Sequence, residues 1–208
     1  MMSPPFLIDL LILVADKDME QTVVGICARS QALGVRTFSY RVLVHPGRDP
    51  GCVRDGVAFL RSFQQQYAFA MLLFDRIGSG REMQTRQQLE QDIERSLAES
   101  GWGERAAVVV LDPELEAWVW SDSPHVERVL GWQGHEPPLR QWLETQDYVM
   151  AAKPKPRHPK EAMEAALRST RTPRSSSLYR QLAERVSLAR CTDDAFIKFR
   201  SMLQVWFG

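Results

Sequence analysis

Phe6-Leu7-Ile8-Asp9-Leu10-Leu11-Ile12-Leu13-Val14-Ala15-Asp16-Lys17-Asp18-Met19-Glu20 opens in an almost unbroken apolar run and closes in carboxylates. A run without alternation is what a strand covered on both faces requires. Acidic residues at its C-terminal end fall where open parallel sheets bind ligands. The arrangement recurs twice: residues 69–74 lead into Asp75, and residues 106–111 lead into Asp112, Glu114 and Glu116. The intervening segments read as helices. Asp18 is placed to cap the first, with Val23, Val24 and Cys27 as its buried side and Gly34 as its stop. Others run through 53–65 and past Leu89, Ile93 and Leu97, the latter after the flexible turn Gly78-Ser79-Gly80. Residues 36–44 read as one more strand, ending in the polar loop His45-Pro46-Gly47-Arg48-Asp49-Pro50-Gly51. Strands alternating with helices imply parallel βαβ units with right-handed crossovers. The expected fold is α/β, an open parallel sheet of about four strands flanked by helices, over residues 1–122.

Beyond Pro113 the character changes. Residues 114–120, 124–130 and 138–144 read as short helices separated by Pro and Gly. Lys153-Pro154-Lys155-Pro156-Arg157-His158-Pro159-Lys160 reads as a stiff, extended basic linker, at about 151–160, because its prolines fix φ and remove donors. Helices resume over 161–169, 178–189 and 194–206. Residues 123–208 are therefore expected to form a C-terminal helical extension.

The 208 residues carry no net charge, with 26 Lys and Arg against 26 Asp and Glu, but the charge is unevenly spread. Residues 150–190 hold ten Lys and Arg against three Glu, and residues 1–149 carry the compensating acidic excess. This asymmetry suggests an acidic body beside a basic surface for a polyanion or an acidic partner, or simply solvated helix faces. Cys27, Cys52 and Cys191 form no CxxC pair, so neither a zinc site nor a disulfide framework is indicated, and a reducing, cytoplasmic setting is expected. The N-terminal run has no basic lead and is broken by Asp9, unlike a signal peptide. No stretch reaches the roughly 18 apolar residues of a membrane span.

Clustered carboxylates raise one another's pKa and need a reason to gather. A hydrated Mg²⁺ or Mn²⁺ is one, since such ions use one or two carboxylates plus water and substrate phosphate. The candidate ligands are Asp16, Asp18, Asp75, Glu114 and Glu116, with Asp75, Glu114 and His45 as candidate catalytic groups. Helix capping accounts equally for Asp16 or Asp18, and a cap before Pro50 accounts for Asp49. Arg48 suits a phosphate clamp, and Lys153, Lys155, Arg157 and Lys160 suit contacts to a nucleic-acid backbone. Trp118 and Trp120 read as core or partner surface.

Four loop motifs in this order resemble the Toprim domain of topoisomerases, primases and certain nucleases. They are Leu13-Val14-Ala15-Asp16-Lys17-Asp18-Met19-Glu20, the His45–Gly51 loop, Phe74-Asp75-Arg76-Ile77-Gly78-Ser79-Gly80, and Asp112-Pro113-Glu114-Leu115-Glu116-Ala117-Trp118. With Trp118-Val119-Trp120-Ser121-Asp122-Ser123-Pro124-His125, they are closer still to a family of small Toprim-like bacterial proteins. Some of that family are encoded with phage-defence systems, including a methylation-associated one. The resemblance implies a Toprim-like sheet and divalent-metal-dependent cleavage of phosphodiester bonds, with nucleic acid and other defence proteins as partners. Toprim domains carry Glu-Gly after the first strand and Asp-x-Asp after the third. Here Ala15-Asp16 and Asp75-Arg76-Ile77 stand there, so a module that has lost catalysis and serves as a binding or regulatory subunit fits the same pattern.

Overall fold

A computed structural model of the chain describes residues 6–121, 123–149 and 155–208. Lys153 and Asp122 lie outside the described residues. Four strands form one sheet in the order β2-β1-β3-β4, all parallel. They are β1 (Ile8–Val14), β2 (Tyr40–Val44), β3 (Tyr67–Asp75) and β4 (Ala106–Leu111). Leu10 to Val14 and Ala70 to Phe74 are fully buried, as central strands of a two-sided parallel sheet should be. Each such large side chain contributes about 1.5–3 kcal/mol by leaving water.

Right-handed crossovers decide which helix covers which face. The helix α1 (Lys17–Cys27) joins β1 to β2 on one side. Next come the single turn α2 (Ser30–Leu33) and then α3 (Arg48–Arg61), which runs from β2 past β1 to β3 on the opposite face. The helix α4 (Arg86–Leu97) follows β3 on the same face as α3 and packs on β4. Thr85 and Gln88 close a reciprocal capping box at its start. Gly56 of α3 brings its backbone against Leu72, where an added Cβ would sit 3.1 Å from a methyl carbon.

The remaining helices are α5 (Glu116–Val119), α6 (Pro124–Val129), α7 (Leu139–Thr145), α8 (Pro159–Thr170), α9 (Ser176–Ala183) and α10 (Asp194–Phe207). They share one apolar core with the sheet. Gly25 of α1 lets α9 approach so closely that a Cβ there would lie 2.9 Å from that of Ala183. On α10, Trp206 stacks on Phe69 at 4.8 Å and Phe207 on Phe38 at 4.5 Å, covering the sheet face that α3 and α4 leave open. Trp118 and Trp120 are buried, and their indole N–H groups donate to Asp193 Oδ1 and to the Pro159 carbonyl. No helix among the described residues is long and apolar enough to cross a membrane.

Candidate acidic site at the sheet edge

The strand order places the topological switch between β1 and β3: the chain leaves β1 toward β2 on one side and returns to β3 on the other. Crevices at such switch points, beyond the C-terminal strand ends, are where open α/β sheets bind ligands. The register pairs Val14 with Leu73, so two residues further along Asp16 stands level with Asp75. Asp16 lines the cleft that opens at this edge, and Asp75 Oδ1 is buried.

Asp16 is the N-cap of α1, its Oδ1 accepting from the Met19 N–H at 2.9 Å. Asp18, expected as that cap, instead sits in the first helical turn, and its Oδ2 accepts from Arg174 Nη2 at 2.8 Å. Asp49 enters because α3 begins at Arg48 and not at the expected residue 53. Its Oδ1 accepts the Asp75 backbone N–H at 2.8 Å, tying the start of α3 to the end of β3. Asp75 Oδ1 is buried and has no hydrogen-bond partner. Burial, reinforced by the charges of Asp49, Glu116, Asp16 and Glu114, holds the Asp75 carboxyl well above the usual carboxylate range. Burial likewise raises Asp49, with Asp16 adding to the push.

Of the last pair, Glu114 Oε1 accepts the Lys160 backbone N–H at 2.9 Å, fastening the start of α8 to the loop after β4. Glu116, only 3% exposed, accepts from the Tyr179 hydroxyl at 2.5 Å and lies 3.5 Å from Arg174 Nη2. Burial pushes Glu116 and Tyr179 up, while Arg174, ringed by Asp18, Glu116 and Glu164, is held more firmly protonated than usual. Arg174 and Tyr179 carried no local sequence signal. They come from α9 and the loop before it, and only the packing of α9 on α1 and α5 delivers them to this edge.

His45 is buried, its Nδ1 accepting the Gly47 N–H at 3.0 Å and its ring lying against Gly51. Burial lowers its pKa. Neutral, with Nδ1 already accepting, it shapes the loop before α3. A cleft of about 500 Å³ opens beside it, lined by Asp16, Asp18, Lys17, Arg48, Lys160 and Arg174 among others. Arg48 and Lys160 therefore lie at the acidic edge. Lys155 turns inward instead, its ammonium donating to the Ala117 carbonyl and reaching Cys191 Sγ at 3.5 Å. Arg157 is exposed next to α8.

Among the described residues, no group of three or more His, Cys, Asp or Glu side chains could hold a metal ion. Asp18 and Glu116 are paired with Arg174. What remains suited to a hydrated divalent ion, which needs only one or two carboxylates, is the Asp75–Asp16 pair with the unpartnered Asp75 Oδ1.

No family model, curated protein or solved structure matches the chain.

Proposed function

We propose that this chain is a Toprim-like nuclease of bacterial anti-phage defence, acting on phosphodiester bonds with Mg²⁺ or Mn²⁺ held as a hydrated ion by Asp75 and Asp16. The observation that carries the reading is Asp75: a buried, unpartnered carboxylate oxygen at the switch point, pressed by four further carboxylates. Such an arrangement is costly unless a cation or a proton relieves it. A bound divalent ion would supply charge neutralisation and an activated water for attack on phosphorus. The chain's own residues do the rest. Asp49 fixes the Asp75 backbone, α1 fixes Asp16 through its cap, and Arg48, Lys17 and Lys160 attract and orient a phosphate in the adjoining cleft. The defence setting rests on the resemblance of the four loop motifs and of the segment from Trp118 to His125.

A second reading has its own support. Arg174 already neutralises Asp18 and Glu116, and Ile77, half exposed, occupies the place of a second acid. Both fit a binding or regulatory subunit of a multi-protein defence complex.

Melting temperature with and without Mn²⁺, together with cleavage of plasmid DNA and labelled RNA, separates the two. The wild type should gain stability with the ion by mass action and cleave, and Asp75→Asn should do neither. A wild type that neither melts higher nor cleaves assigns the chain to the second reading.

A further inference from the structure

The basic surface expected over residues 150–190 extends past the linker to the far end of α8. Three arginines, Arg168, Arg171 and Arg174, line a second groove of about 350 Å³ at the C-terminal end of α8, with Leu167 and Pro173 as apolar walls. Glu164 is its acidic member, holding Arg174 at 2.8 Å and Arg168 at 3.7 Å and so setting both guanidinium groups. Arg174 also lines the cleft beside Asp16, so groove and cleft adjoin through one side chain.

The backbone adds an independent observation. Among the described residues only three other than glycine have positive φ, and two are arginines lining these hollows: Arg48 at 51° and Arg171 at 54°. A left-handed residue with a Cβ costs roughly 1–2 kcal/mol, and the position after a helix usually goes to glycine or asparagine for that reason. Favourable interaction with the helix dipole accounts for Arg168 in the last turn of α8. It does not account for arginine where glycine would relieve strain. The left-handed turn itself is held by backbone bonds, the Arg171 and Thr172 N–H groups donating to the Arg168 and Leu167 carbonyls, but among the described residues the Arg171 side chain makes no hydrogen bond or ion pair.

We propose that Arg168, Arg171 and Arg174, continuing through Lys160, Lys17 and Arg48, form a track for the phosphodiester backbone of a nucleic-acid strand, which it leads past the acidic edge. The track deepens the nucleic-acid reading above and rests on it, but it does not require cleavage. Guanidinium groups suit the task because their fork matches phosphate oxygens, and the apolar walls suit the sugars and bases between phosphates. A strand lying here competes with Asp18 and Glu116 for Arg174.

The test is binding of a fluorescent single-stranded oligonucleotide, followed by anisotropy in EDTA across a salt series, so that cation binding plays no part. Arg171→Asn keeps a residue at ease in the left-handed region and removes the charge. It should bind about fivefold more weakly at 0.1 M salt, with the salt slope shallower by about 0.7, the value of one single-strand phosphate contact. Its melting temperature should be unchanged or higher, and Arg171→Lys should recover most of the binding. Arg168→Gln should behave like Arg171→Asn. No binding by the wild type at low salt, or unchanged affinity and slope in both variants, would overturn the track. So would polyglutamate competing as well as the oligonucleotide, charge for charge. Binding through these arginines without metal-dependent cleavage would uphold the track and sink the nuclease.

Discussion

Asp75 concentrates the energetics of the site into one carboxyl group. Its folded pKa is raised by burial and by neighbouring charges, so the folded protein holds this proton where the unfolded chain has lost it. Stability linked to the group is therefore greatest below the unfolded value of about 3.9 and declines as pH rises through and beyond it, until Asp75 itself ionises. Asp75→Asn removes that decline. In metal-free buffer the variant should be more stable than wild type at pH 7 by roughly 0.5–3 kcal/mol, the ordinary range of a single substitution, with the gain shrinking toward pH 4 because it comes from removing the titrating charge. Urea midpoints at the two pH values check this, and an equal gain at both would point to packing instead of charge. Asp75 was legible in the sequence because a carboxylate ending an apolar run has little structural need to be there. For Asp49, its backbone partner, the sequence offers a place in the polar loop after β2 or a cap before Pro50, and neither discloses the bond to Asp75. What changes its role is the start of α3 at Arg48, with Pro50 in the first turn where its missing N–H does no harm.

At the scale of elements, α3 and the loop before it act as a unit, with His45 as the wedge. Gly51 lies inside α3, where alanine ordinarily gains about 1 kcal/mol in helix propensity. Here an added Cβ would fall 2.3 Å from His45 Nδ1, so the ring must move and release the Gly47 N–H. Gly51→Ala should lose roughly 1–3 kcal/mol, as overpacked sites do, and His45→Ala in the same chain should recover part of it. Chemical denaturation of the two single variants and the double variant measures the coupling, and strict additivity would dissociate the ring from the helix start. The elements themselves differed in how well the sequence disclosed them. The strand β4 matched its apolar run and β3 extended its run by two residues at the start and one at the end, because strands buried on both faces have little freedom in composition. The edge strand β2 was expected from residue 36 and begins at Tyr40, since only the stretch paired with β1 is held in register. The helix α1 ends at Cys27, well before Gly34, which caps the separate turn α2.

For the whole molecule, the C-terminal helices complete the core that the sheet begins. No local periodicity could disclose this, because an amphipathic helix shows that it needs a partner but not which one. Residues 1–122 alone would leave Phe38 and Phe69 without Phe207 and Trp206, and α1 without α9. Each large side chain uncovered forfeits about 1.5–3 kcal/mol, and several such losses together are comparable to the 5–15 kcal/mol that hold a typical domain together. The fragment should bind a hydrophobic dye, lack near-ultraviolet circular dichroism and show no sharp thermal transition; cooperative unfolding of the fragment would show that the sheet is self-sufficient. The same distance in sequence explains why Arg174 and Tyr179 escaped notice at the acidic edge. They reach it through tertiary packing alone.

The stacking of Phe207 on Phe38 also bears on how the protein is made. A chain emerging from the ribosome has all four strands available once Leu111 is out, yet the part of one sheet face that α10 covers stays open until nearly a hundred further residues have been translated. Its parallel strands cannot shelter as hairpins in the meantime, since each pairing needs a crossover. Nascent chains of this kind spend the interval with aromatic and aliphatic surface open to other polypeptides, the condition under which chaperones are recruited and slow synthesis becomes hazardous.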